Sequence, residues 1–242
     1  MSFSKRRYEL NLQRSKIGRL TFCENMKNAD MAAFLYPTYT LANVGLALWS
    51  LSLFKHPHNI NTTLLLLVLA GMTYDNFIIS IGRLIDQGAL LELLNRLRFL
   101  FHNLFVPLLV VVAVKLASNA GVVWASNPTV YYGCWVIALG LITFGLVSDF
   151  VGLELIPITF AGSLRYKPKS CGLPMLPILT ASLVAVMGFF IWREINWPWM
   201  LVGTLVMFSG NALPTRIFGT LVSSAVDFVF ILALLATELI VY

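Results

Sequence analysis

"TTLLLLVLAGMTYDNFIISIG", residues Thr62–Gly82, decides how this chain is read. Leu64–Ala70 is continuously apolar, without the two-residue alternation of a half-buried strand. At 1.5 Å per residue, a helix of about 20 such residues crosses the roughly 30 Å hydrocarbon core of a bilayer. Yet Tyr74, Asp75 and Asn76 stand side by side within it. A charged side chain at that depth costs about 2.5–3.5 kcal/mol unless it faces a partner or a wet interior. The stretch therefore predicts a membrane helix and a polar site upon it.

The rest of the chain agrees with a lipid solvent. Of its 242 residues 58% are hydrophobic and only 12% charged, against about half and a quarter in soluble domains. Seven apolar segments have the required length: Phe34–Phe54, Thr62–Gly82, Arg98–Ser118, Val130–Phe150, Leu173–Trp192, Trp197–Leu213 and Gly219–Tyr242. Backbone polar groups in hydrocarbon must be satisfied within the segment, so these runs are helices. The expected fold is an all-α integral membrane protein, a seven-transmembrane-helix bundle over residues 34–242. Residues 1–33 form a basic tail whose spacing also fits an interfacial helix on anionic headgroups. With no small-residue cleavage site before it, the first segment reads as an anchor and not as a removable signal.

Charge sets the orientation. Lys5, Arg6, Arg7, Arg14, Lys16, Arg19, Lys27, Arg83, Arg96, Arg98, Arg165, Lys167, Lys169 and Arg216 fall on one face, and only Lys55, Lys115 and Arg193 on the other. The positive-inside rule places the N-terminus in the cytoplasm and the C-terminus on the opposite side. Trp124, Tyr131, Tyr132, Trp135, Trp192, Trp197 and Trp199 all fall at the outer face, as an aromatic belt would. Asn59-Ile60-Asn61-Thr62 is expected to cap the second helix, and Asn196 the sixth. The net charge of +6 then reports topology and attraction to anionic lipid, not nucleic acid. Three cysteines, Cys23, Cys134 and Cys171, have no metal or disulfide spacing.

With this topology, polar residues from several helices converge in the cytoplasmic third of the bilayer. Asp75 and Asn76 lie about 10 Å from the cytoplasmic boundary on helix 2, and Asp227 about 12 Å from it on helix 7. His102, Asn103, Asp149, Glu154 and Asn211 approach the same level. The expected catalytic residues are Asp75, Asp227 and His102. Tyr74, Asn76, Arg83, Arg98, Asn103, Asp149, Glu154, Asn211 and Arg216 are expected to bind substrate, the arginines as a rim for a headgroup. Each also has a structural reading: Asp75 paired with Arg83 or His102, the asparagines as interhelical links, the rim arginines as topology signals alone. Lys115 and Glu238, at one depth near the outer face, are expected to pair with each other. Residues 151–172 are too apolar for water and too short to span, which predicts a re-entrant or surface loop, placed to act as a lid.

No DDxxD, HExxH, GxSxG or Walker motif occurs, and three histidines are too few for a His-rich metal site. No cofactor or metal is expected. Seven helices in about 240 residues, with acids in helices 2 and 7, is similar in layout to the membrane-embedded terpene cyclases. Where those enzymes carry Trp-Glu on helix 2, this chain has Tyr74-Asp75. The first expectation is an enzyme acting by acid-base chemistry on a lipid or isoprenoid, with membrane lipids and a small lipophilic substrate as partners. The alternatives are a proton- or cation-coupled transporter or channel, and a non-catalytic assembly protein whose polar cluster fixes helix register.

Overall fold

The computed structural model describes residues 33–52, 60–160, 163–169, 174–212 and 221–242. The basic tail up to residue 32, Lys55, Cys23, Cys171 and Arg216 lie outside the described residues. The described chain is mostly helical: α1 (33–52), α2 (Ile60–Ile81), α3 (Ala89–Phe105), α4 (Leu108–Asn119), α5 (Pro128–Gly145), α6 (Met175–Ile195), α7 (Trp199–Asn211) and α8 (Leu221–Val241). A two-stranded antiparallel sheet, β1 (Leu155–Phe160) and β2 (Ser163–Pro168), stands between α5 and α6.

Helices coincide with all seven apolar segments, but among the described residues five are long and apolar enough to cross a membrane. These are α2, the combined α3–α4, α5 with its extension to Phe150, α6 and α8. The chain is thus an integral, multi-pass membrane protein by length and composition. α7 has only 13 residues, about 20 Å of helix, short of the hydrocarbon thickness.

α3 begins earlier than the apolar run suggests. Its first turns, Ala89–Leu97, are amphipathic, so hydropathy alone starts the helix too late. α3 and α4 form one path of 31 residues broken at Pro107. Proline has no N–H to donate and its ring crowds the preceding turn. The neighbouring amides turn to nearer carbonyls, Leu109 N to Val106 O and Val110 N to Pro107 O, both at 3.1 Å. α4 is buried on every side, from Leu108 through Val114 and at Leu116 and Ala117. A helix apolar all round belongs at the centre, and α4 touches α2, α5, α6 and α8 there.

Three expectations are corrected. Residues 155–168 are not an irregular loop but the β1–β2 hairpin, in which Ile156, Ile158 and Thr159 supply β-branched side chains. Asn196 does not cap α7; it closes α6 in the left-handed conformation (φ 55°), its N–H donating to Trp192 O at 2.9 Å. Lys115 and Glu238 form no ion pair among the described residues. Glu238 is fully buried and accepts from Thr62 Oγ1 (2.9 Å) and Asn61 Nδ2 (3.3 Å) in the first turn of α2. Two donors in the first turn of α2 hold one oxygen of this carboxyl group without a lysine.

These contacts sort the helix ends. The start of α2 and the ends of α6 and α8 meet around Glu238, Thr237 and Trp197, whose Nε1 donates to Thr237 Oγ1 at 3.0 Å. Trp124 meets Phe190 edge-to-face at that end. The end of α2, the start of α3 and the hairpin share the other end.

Candidate functional site

Asp75 on α2 is bound by Arg98 on α3, Nε to Oδ1 at 2.7 Å. This corrects the partners expected from sequence: the cation is neither Arg83 nor His102. Arg98 is no rim residue either, since its side chain is 8% exposed while that of Asp75 is 40% exposed. Its Nη1 donates to Asn95 Oδ1 at 2.7 Å, and Asn95 anchors itself through Nδ2 to Leu91 O at 2.8 Å. The backbone N–H of Tyr166 in β2 donates to the same Asn95 oxygen at 3.3 Å. A chain of hydrogen bonds therefore runs from the hairpin through Asn95 and Arg98 to the carboxylate.

The hairpin sits where it does because Gly82 lets it. Leu164 N donates to Gly82 O at 3.1 Å, and Ser163 Oγ donates to Ile79 O at 2.6 Å. A Cβ on Gly82 would stand 2.1 Å from the Leu164 carbonyl oxygen, so only glycine admits the strand. Arg165 of β2 is buried at 9% exposure. Desolvation lowers its pKa, Tyr36 and Asp75 oppose this, and Arg98 adds to it, which places all four side chains within one electrostatic neighbourhood.

Asp227 on α8 accepts from Asn211 Nδ2 at the end of α7, at 3.1 Å. Ser223 Oγ donates to Asn211 Oδ1 in a short hydrogen bond. No cation pairs with Asp227 among the described residues, but it lies within the Coulomb field of Asp75. His102 is exposed on α3, within the field of Asp75, Arg98 and Asp149. The three expected catalytic residues stand on three helices, α2, α3 and α8, and the field of Asp75 reaches the other two.

The remaining expected residues divide. Tyr74 is turned aside: its hydroxyl donates to Leu94 O at 3.2 Å and its ring packs edge-to-face on Phe101. Asn103 links helices, Nδ2 to Gly145 O at 3.1 Å, through a contact that Gly145 permits by lacking a Cβ. Asp149 is exposed in the single wide turn ending α5 and accepts from Ser148. Glu154 pairs with Lys169 at 2.6 Å at the base of the hairpin, both side chains more than half exposed. Arg83 is exposed just beyond α2. Asn76 is buried, with Nδ2 on Met72 O at 3.1 Å and Oδ1 without a partner among the described residues.

Sequence reasoning passed over Asn95, Arg165 and Tyr166. Asn95 was detectable: it lies three residues before Arg98, on the same helical face. No family model, curated protein or solved structure matches the chain.

Proposed function

We propose that this chain is a multi-pass membrane enzyme acting by acid-base chemistry on a lipid or isoprenoid drawn from the cytoplasmic leaflet. One observation supports it above the rest. The carboxyls of Asp75 and Asp227, from α2 and α8, share an electrostatic neighbourhood but have unlike partners. Two acids in different surroundings are what acid-base catalysis uses to separate donor from stabiliser. Asp75, locked on a guanidinium, is the fixed anion that steadies positive charge developing on the substrate. Asp227, held only by a carboxamide, is the proton donor. His102 returns the proton from the exposed side, Asn76 orients the substrate, and Arg83 and Arg216 receive an anionic headgroup. α1 and α7 are the remaining two of seven spans, the short α7 accommodated by local thinning of the bilayer, with the N-terminus cytoplasmic by the distribution of Lys and Arg.

A proton- or cation-coupled transporter is the second reading, and Glu238 favours it. Asp227 and Glu238 are 11 residues apart, three turns, so they share a face of α8 about 16 Å apart along it. The face between them carries Ile231 and Leu234, both fully buried and apolar. A relay needs polar steps there, so the enzyme reading stands first.

The test is lipid and small-molecule mass spectrometry on cells holding wild type, Asp75→Asn or Asp227→Asn at equal folded abundance. A species made or consumed by the wild type alone is expected. Identical extracts overturn the enzyme reading, and pH-dependent flux in proteoliposomes, lost in Asp227→Asn, then establishes transport.

A further inference from the structure

α1 buries four residues, Tyr36, Asn43, Leu46 and Ser50, spaced by seven, three and four. That spacing is one helical stripe turned to the bundle. Two of the four are polar. Asn43 is 0% exposed, and neither its Oδ1 nor its Nδ2 has a partner among the described residues; the same holds for Ser50 Oγ. A buried carboxamide normally finds partners, because leaving it without any sacrifices hydrogen bonds that water would have made.

The facing helix offers a counterpart. Tyr36, near the start of α1, packs on Ile79, near the end of α2, while Leu46, further along α1, joins the cluster that holds Leu65 and Leu69, earlier in α2, as two antiparallel helices require. Asn76 lies three residues before Ile79 and shares its face, with Oδ1 also unpartnered among the described residues. Asn43 is about 10 Å along α1 from Tyr36, and Asn76 about 4 Å along α2 from Ile79. The two carboxamides are therefore offset along the axis by roughly 6 Å, about two hydrogen-bond lengths.

We infer that Asn43 and Asn76 together bind the polar group of an uncharged lipophile between α1 and α2. The inference rests on the reading of Asn76 as a substrate-binding residue. Chemistry narrows the class. Asn76 Oδ1, its amide already spent on Met72 O, asks for a donor, whereas Asn43 offers both a donor and an acceptor. A hydroxyl meets both demands. A quinone carbonyl or an ether lacks the hydrogen, and neither Asn43 nor Asn76 carries the charge that would hold a phosphate or carboxylate. The ligand class is an alcohol with a long apolar body.

The experiment uses the purified full chain in neutral detergent, with a C15 prenyl alcohol and its methyl ether as probes. Wild type is expected to bind the alcohol at least tenfold more tightly than the ether. Asn43→Leu and Asn43→Val are expected to lose that preference. Ligand-free, the better of the two is expected to melt about 2 °C or more above wild type, because it replaces an unpartnered polar group with an apolar one. A structural asparagine behaves oppositely: both variants then melt lower or fail to fold, and that result overturns the inference. Equal binding of alcohol and ether by wild type, or a preference that survives in both variants, overturns it as well. Neither readout measures turnover, so an inactive protein with this binding pattern fails only the enzyme reading.

Discussion

Arg98→Met removes the guanidinium that holds Asp75 and one of the three hydrogen bonds on the Asn95 side chain. Breaking a fully buried ion pair costs about 3–5 kcal/mol, most of it from the charge left behind. Here the stranded charge is Asp75, whose side chain is 40% exposed against 8% for Arg98, so partial solvation brings the expected loss to about 2–3 kcal/mol. Asp75→Asn strands the better buried partner instead. It keeps an acceptor oxygen for Arg98 Nε and leaves Asn95 in place, for a loss of about 1.5–3 kcal/mol. The double variant has no stranded charge and is expected to lose only about 1–2 kcal/mol, a coupling of about 3 kcal/mol. For a chain of this size about 2–4 °C of melting temperature corresponds to each kcal/mol. Arg98→Met should therefore melt about 4–12 °C lower and the double variant recover much of that, in melts run in one nonionic detergent. Losses that add within about 0.5 kcal/mol would refute the reasoning. The cycle also calibrates the functional test, since Asp75→Asn carries a stability loss of its own.

Gly82→Ala puts a Cβ 2.1 Å from the Leu164 carbonyl oxygen, so the hairpin must lift. Amide exchange at Leu164 and Tyr166 is expected to rise at least tenfold, and unchanged exchange would remove Gly82 as its docking point. Glu238→Leu strands donors on Thr62 and Asn61 and should cost about 1–3 kcal/mol. Glu238→Gln keeps an acceptor and should stay within about 1 kcal/mol of wild type in the same melts. Lys169→Ala breaks only an exposed pair with Glu154 and should cost under about 0.5 kcal/mol; a larger loss would mean that the pair anchors the hairpin. In a cysteine-free background, an impermeant thiol reagent should reach a cysteine at Gly121 from outside intact cells and one at Lys169 only after permeabilisation. Reversed labelling would invert the orientation.

Much of the arrangement was legible because hydrocarbon imposes a simple rule. Each apolar run of the right length became a helix, and the polar interruptions on helices 2 and 7 marked depth before any packing was known. Counting residues at 1.5 Å each gave the expectation that Asp75 and Asp227 stand near one level. Helix identity was clear where side chains meet lipid and blurred where they do not. The start of α3 mixes Glu92, Asn95, Arg96 and Arg98 with leucines, so hydropathy set it outside the membrane and misread Arg98 as a rim residue. The hairpin was hidden for a related reason. Its apolar residues suggested lipid contact, whereas β2 rests on protein, on Gly82, Ile79 and Asn95.

What the sequence determined alone is which segments are apolar enough for a bilayer, and how far along each one a polar residue stands. Both follow from composition and from the constant rise of a helix. Partnership needed the tertiary structure. Whether Asp75 meets Arg83, His102 or Arg98 depends on the rotation of α2 against α3, and whether Glu238 meets Lys115 or the start of α2 depends on which helix lies beside α8. Rotation and neighbour choice come from side-chain packing summed over whole helix faces, around a central α4 and through glycines such as Gly82 and Gly145. No local stretch of sequence carries that sum.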